Sequence, residues 1–201
     1  MIGHLETLNR QLFLLLNATP ETPGAVLSVA KMIASGLIVY VPLLLAFLWL
    51  WGNDQQRNAS LRAAVALIIG LVANILIGKL WYHPRPLALN LGHTYLFHPL
   101  SASFPSDHTT AFAVVGFALL GGGMRVWGGV TLIAGALVGW ARIFLGVHFP
   151  FDILGAFVVS YLVCQGVSYI WPRVGNTLMA VSMRIYGSVM APLIGRGWIR
   201  R

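Results

Sequence analysis

Acidic residues are almost absent from this chain. Asp and Glu number five in 201 residues, against thirteen Lys and Arg, and charged residues make up only 9% of the whole. Soluble domains carry about a quarter charged residues, so an ordinary soluble fold is excluded. Cysteine is equally scarce. Cys164 stands alone, which rules out an intrachain disulfide and removes redox compartment as a guide. The six histidines include no HExxH or HxH spacing, carboxylates are few, and the arginines would repel a cation. No metal and no cofactor is therefore expected. No internal repeat is visible. The first sixteen residues carry Glu6 and Arg10 and lack a long apolar core, so no cleavable signal peptide is expected.

What the chain does have is apolar length. Hydrophobic residues make up 58% and the mean hydropathy is +0.79, which defines a polytopic membrane protein. The expected fold is an all-α membrane helical bundle of about five transmembrane helices, with interfacial amphipathic helices at both ends. The spans are expected at 26–51, 61–82, 107–122, 127–146 and 152–171. Leu5, Leu8, Leu12, Leu15 and Leu16 recur at helical spacing opposite Glu6 and Asn9, too short a stretch to span, so an interfacial helix is expected there. The division that follows is an interfacial segment 1–24, a transmembrane domain 25–171 and a basic amphipathic tail 172–201. Gly70, Gly78, Gly135 and Gly139 are expected at close helix contacts.

The net charge of +8 points to topology and anionic lipid, not to nucleic acid. Arg57, Arg62, Arg125, Arg173, Arg184, Arg196, Arg200 and Arg201 all fall on one side of a five-span chain. That side is expected to be cytoplasmic. The other side receives the N-terminal helix, the 83–106 loop and the break near residue 148.

That break is the most unusual stretch. Ala141-Arg-Ile-Phe-Leu-Gly-Val-His148-Phe-Pro-Phe-Asp152 sets Arg142, His148 and Asp152 between two apolar runs, where charge is costly and marks a site. Pro150 suits a first helical turn, which puts Asp152 near a helix N-terminus. His148 and Asp152 are four apart, so the carboxylate can take the imidazole Nδ1–H and leave Nε2 a bare lone pair beside Arg142. A nucleophile oriented by a carboxylate next to an anion clamp fits phosphoryl transfer. A buried histidine satisfied by a local carboxylate is the plainer use of the same pair.

Two further clusters face the same way. One is Lys79-Leu-Trp-Tyr-His-Pro-Arg85-Pro86. The other is Pro105-Ser106-Asp-His108, where Ser106 is a good N-cap and the amides after it form a phosphate site. Singly, Lys79 and Arg85 read as headgroup anchors. Together, three clusters at three span ends on one face make an anion site. Lys31, in the first span, either snorkels outward or reaches the site from the side.

These clusters resemble, in order, the three signature motifs of the type 2 phosphatidic acid phosphatase superfamily: Lys-x6-Arg-Pro, Pro-Ser-Gly-His and Ser-Arg-x5-His-x3-Asp. Here they read Lys79-x5-Arg85-Pro86, Pro105-Ser-Asp-His108 and Ala141-Arg142-x5-His148-x3-Asp152. The first is one residue short, which turns Lys79 by about 100° relative to Arg85 on a helix. Ala141 replaces a serine. Asp107 and the run from Gly146 to Gly155 are similar to the bacterial undecaprenyl-diphosphate phosphatases of that superfamily.

The resemblance implies His148 as the nucleophile, Asp152 as its orienting carboxylate and His108 as the acid and then base. It implies phosphate binding by Lys79, Arg85, Arg142 and Ser106. It also implies an isoprenoid lipid diphosphate as substrate, in a bacterial cytoplasmic membrane with the site facing outward. A phosphatidylglycerophosphate or phosphatidic acid phosphatase, a lipid A phosphotransferase, or a lipid-phosphate carrier without chemistry are the other readings. Nothing in the sequence speaks to oligomeric state.

Overall fold

The computed structural model describes residues 2–99 and 101–200. Its elements in chain order are α1 (Ile2–Leu16), α2 (Gly24–Leu50), α3 (Asp54–Leu80), α4 (Asp107–Gly121), α5 (Arg125–Phe144), α6 (Pro150–Val189) and the short α7 (Ala191–Gly195). Among the described residues no strand occurs. Helices α2, α3, α5 and α6 are long and apolar enough to cross a membrane.

Helix α4 is the exception, and it is the axis of the bundle. Its fifteen residues rise only about 22 Å, short of a hydrocarbon core of about 30 Å. It lies where the sequence predicts the third span, 107–122, and is shorter than α2, α3, α5 and α6. Residues 109–116 are buried all round, as a helix apolar on every face demands, and Val114, Val115, Ala118 and Leu119 pack with Leu44, Leu48, Ala63, Ala66, Val138 and Cys164. A helix enclosed by its neighbours need not match the bilayer. Close approach is bought with glycine: a Cβ on Gly70 would meet Val114 at 2.9 Å, and one on Gly135 would meet Phe112 at 2.7 Å. The far end of α4 is closed by Arg62, whose Nη2 donates to the Ala118 carbonyl at 2.6 Å.

Helix α3 starts with a capping box, Gln56 N to Asn53 Oδ1 at 2.9 Å and Asn53 N to Gln56 Oε1 at 2.8 Å. Helix α2 contains a π-helical stretch, Met32–Gly36, and a 3₁₀ turn, Leu37–Val39. Helix α6 runs unbroken through Pro172 for forty residues, so the helix itself continues past residue 171, where span five is expected to end. Pro172 forfeits one helical hydrogen bond. The next turn is held instead by Trp171, which lies over Gly175 and donates from Nε1 to Asn58 Oδ1 at 3.0 Å. The chain then returns to Arg57, buried against the Tyr186 ring, whose Nη2 donates to the Arg200 carbonyl at 2.7 Å.

Helix α1 lies across the end of the bundle where α3 and α5 finish and α4 and α6 begin. Its docked face is Asn9, Phe13 and Asn17, while Leu8, Leu14 and Leu15 point away. Asn9 Oδ1 accepts from the Phe151 amide at 3.0 Å, and Asn17 Nδ2 donates to the carbonyls of His93 and Phe144. The polar stripe binds protein and the leucines are left exposed, the pattern expected of an amphipathic interfacial helix.

Candidate active site

Four helix ends and one loop converge beneath α1. Gly146, at φ +82, turns the chain from α5 into the His148 break. A Cβ there would strike the His93 carbonyl at 2.1 Å, so only glycine fits. Phe149 is extended, Pro150 occupies the first turn of α6, and Asp152 follows in that turn.

His148 is 1% exposed. Its Nδ1 lies 3.2 Å from Asp152 Oδ2, and its Nε2 lies 3.1 Å from Arg85 Nη1. These partners fix the tautomer, with Nδ1–H donating to the carboxylate and Nε2 accepting. The lone pair is therefore not bare, as the sequence reading had it, but engaged by a guanidinium. Burial pushes the His148 imidazole down to about 3, and the hydrogen bond to Asp152 opposes that shift without cancelling it. The ring is neutral at neutral pH.

Arg85 is the hub. Nη1 also donates to the Val147 carbonyl at 2.9 Å, and Nη2 donates to Ser101 Oγ at 3.2 Å and the Ala102 carbonyl at 3.1 Å. Burial lowers its basicity, while Asp152 and Asp107 raise it. Arg142 is equally buried. Its Nη1 donates at 3.2 Å to the carbonyl of Ala34, inside the π-helical stretch of α2. Its Nε and Nη2 have no partner, nor do Arg85 Nε, Ser106 Oγ and Thr109 Oγ1. Ser106 stands at the N-cap position of α4 but its hydroxyl does not cap, a correction to the expected role. The first amides of α4 thus stay free of a side-chain acceptor, the condition for anion binding at a helix start.

His108 sits half-buried in the first turn of α4, within the positive field of Arg142 and Arg85. Lys79 is exposed and lines a separate cavity of about 250 Å³ with Asn74, Tyr82, Ser101 and Asp107. It makes no hydrogen bond or ion pair among the described residues. Lys31 is likewise exposed.

Three residues of the long loop were not singled out by sequence. Ser103, fully buried, donates its hydroxyl to Asp152 Oδ2 and lies 3.5 Å from His148 Nδ1. The His98 ring meets that of His148 edge-on at 6.2 Å, and burial lowers its basicity too. His83 Nδ1 lies 3.8 Å from Asp152 Oδ1. Asp152 Oδ2 also accepts from the Phe149 amide at 2.7 Å, so that oxygen is fully engaged. Among the described residues no group of three or more His, Cys, Asp or Glu side chains is placed to hold a metal ion.

The arrangement couples a neutral, carboxylate-oriented imidazole to two buried guanidiniums and an uncapped helix start. That set suits attack on a phosphoryl group and neutralisation of its oxygens.

Known proteins resemble this chain. The chain is 38% identical to YbjG of Escherichia coli (strain K12), provisionally named an undecaprenyl-diphosphatase, over 98% of this chain and 99% of that one. It is 35% identical to the undecaprenyl-diphosphatase BcrC of Bacillus subtilis (strain 168), over 92% and 95% respectively. The crystal structure of Aquifex aeolicus LpxE superposes with a TM-score of 0.64 at 25% identity, covering 81% of this chain and 95% of that one. The PAP2 superfamily matches residues 59–175, which take in Lys79, Arg85, Ser106, His108, Arg142, His148 and Asp152. The chain belongs to the PAP2 superfamily and is a membrane phosphatase of that family.

Proposed function

We propose that this phosphatase hydrolyses undecaprenyl diphosphate to undecaprenyl phosphate and inorganic phosphate, through a phosphohistidine at His148, on the outer face of a bacterial cytoplasmic membrane. The observation that carries the reading is His148 held between Asp152 Oδ2 and Arg85 Nη1, beside the uncapped start of α4. The terminal phosphate draws Arg85 and Arg142 onto its oxygens, which frees the Nε2 lone pair. Nε2 then bonds to phosphorus as the bridging P–O bond breaks. The electron pair leaves with undecaprenyl phosphate, which His108 protonates. His108 next takes a proton from water, the hydroxide attacks phosphorus, and the P–N bond breaks to return neutral His148. Asp152 and Ser103 hold the imidazole through both steps. The chain's own residues supply the positive charge the transition state needs.

The substrate reading rests on the names of YbjG and BcrC, and on a site at the helix ends, where a headgroup meets a tail in lipid. The outward orientation rests on the arginines gathered at the opposite end of the bundle. Phosphate release by the purified protein from undecaprenyl diphosphate, phosphatidylglycerophosphate and phosphatidic acid tests the proposal. Undecaprenyl diphosphate is expected to give the highest kcat/KM by at least about tenfold, the equivalent of about 1.4 kcal/mol. A preference for a glycerolipid phosphate overturns the substrate. Tight binding without any phosphate release makes the protein a carrier.

A further inference from the structure

Behind the nucleophile, on the side away from Arg85, runs a second polar line that the mechanism above does not use. Asp152 has two oxygens with unlike surroundings. Oδ2 receives the imidazole, a hydroxyl and an amide. Oδ1 is buried and has no hydrogen-bond partner. Across from it is His83 Nδ1, also buried and also without a partner, at 3.8 Å. The other ring nitrogen, Nε2, lies 3.4 Å from Glu6 Oε2 of α1, and Glu6 Oε1 accepts from Arg10 Nε at 2.8 Å. The His83 ring is fixed edge-on against Phe149 at 5.6 Å and tilted against Trp81 at 6.1 Å. Glu6, His83 and Asp152 border one cavity of about 350 Å³, whose remaining walls are mostly apolar: Leu5, Trp81, Phe104 and Phe151, with Asn9.

We infer that His83 is a positioning residue for the nucleophile, donating from Nδ1 to Asp152 Oδ1, and that Glu6 of α1 holds it in the orientation to do so. The inference rests on the reading of His148 as nucleophile. A carboxylate oxygen buried among aromatic and aliphatic walls is costly to leave unpaired, and His83 is the side-chain donor that faces it. An approach of less than 1 Å closes the bond. A neutral imidazole donates through one nitrogen only, whereas an imidazolium donates to Glu6 and Asp152 together. The line therefore joins the helix lying on the membrane surface to the reacting nitrogen through four side chains: Glu6, His83, Asp152 and His148. Charged groups facing His83 are Glu6, with Arg10 behind it, from α1, and Asp152, with His148 behind it, from α6. Trp81 and Phe149 present only rings.

The experiment measures kcat, KM and the pH profile of phosphate release from undecaprenyl diphosphate by the purified full-length protein and three variants. His83→Phe keeps a ring and loses the donor. His83→Asn keeps a nitrogen donor near the Nδ1 position. Glu6→Gln removes the charge that orients the ring. Expected for His83→Phe is a kcat loss of about tenfold, the low end for losing an outer partner of a catalytic ligand, with KM changed less than twofold. With one donor fewer on Asp152, the carboxylate stabilises the His148 cation more strongly, so the acid limb of kcat/KM moves to higher pH. His83→Asn is expected to restore most of kcat, and Glu6→Gln to fall between. Wild-type kcat and pH profile in His83→Phe overturn the inference. Equal kcat losses in the Phe and Asn variants with an unmoved acid limb also overturn it, leaving only a packing role. If His83→Phe aggregates on size exclusion, Glu6→Gln decides: unchanged kcat and pH profile there overturn the inference. A wild-type protein that releases no phosphate from this substrate, but does from another lipid phosphate, overturns the substrate reading instead, and the same variants are then compared on that lipid.

Discussion

Arg85 Nη1 and His148 Nε2 are 3.1 Å apart, so the cation that would bind the phosphate holds the lone pair that would attack it. In the proposed mechanism, substrate binding and nucleophile release would become one event, because an incoming phosphate oxygen would outcompete a neutral nitrogen for the guanidinium. The geometry needs a planar fork, since the same group also serves Val147, Ser101 and Ala102. Arg85→Lys keeps the charge and loses the fork. Its kcat is expected to fall on the order of 100-fold, with membrane insertion and helix content unchanged by circular dichroism.

Burial sets the behaviour of His148 in acid. The folded group titrates at about 3, well below an ordinary histidine at about 6.5. Between those values the unfolded chain binds a proton that the native protein refuses, so stability falls as pH drops through that window. Thermal unfolding in detergent is expected to show a steeper loss of midpoint from pH 6.5 to 4 for wild type than for His148→Gln. Parallel curves would contradict it.

Gly146 adopts a φ of +82 against the His93 carbonyl. Gly146→Ala introduces both left-handed strain and a clash. A loss of at least about 1–2 kcal/mol is expected, together with reduced kcat, because the strained residue lies two positions from His148. Unfolding midpoints and initial rates measured on the same preparation check both effects.

Ser103 and Lys79 make a contrasting pair. Ser103 is buried on Asp152 and beside His148, whereas Lys79 is exposed and lines a different cavity. Ser103→Ala is expected to lower kcat about tenfold, from loss of a hydrogen bond to a charged group of about 1.5 kcal/mol, and Lys79→Ala less than threefold. The reverse order would place Lys79 in the phosphate clamp.

Much of this site was legible because its key spacings are local. Pro150 announces the start of α6, Asp152 follows in its first turn, and a separation of four residues brings Asp152 to His148 whatever the rest of the bundle does. Ser106 likewise marks the start of α4, though not the disposition of its hydroxyl. His83, His98 and Ser103 were not legible, because they reach the site only through the path of the 81–106 loop over the helix ends. Nor could the Ala34 carbonyl be foreseen as a ligand of Arg142, since a π-helical stretch leaves no residue pattern. Pro172 misled for the opposite reason. Its local cost is real, but the Trp171–Asn58 bond and the packing of α6 outweigh it. The exposed position of Lys79 agrees with the first motif being one residue short, a rotation visible in the residue count alone.

The covalent intermediate is the heart of the account, and rapid-quench labelling tests it most directly. Undecaprenyl diphosphate carrying radiolabel only in its terminal phosphate is mixed with enzyme and quenched in alkali, where phosphohistidine survives. Label is expected on the wild-type protein, at higher occupancy in His108→Ala, where water attack is slowed, and not in His148→Ala. Turnover without protein-bound label in either the wild type or His108→Ala, or label persisting in His148→Ala, would contradict it.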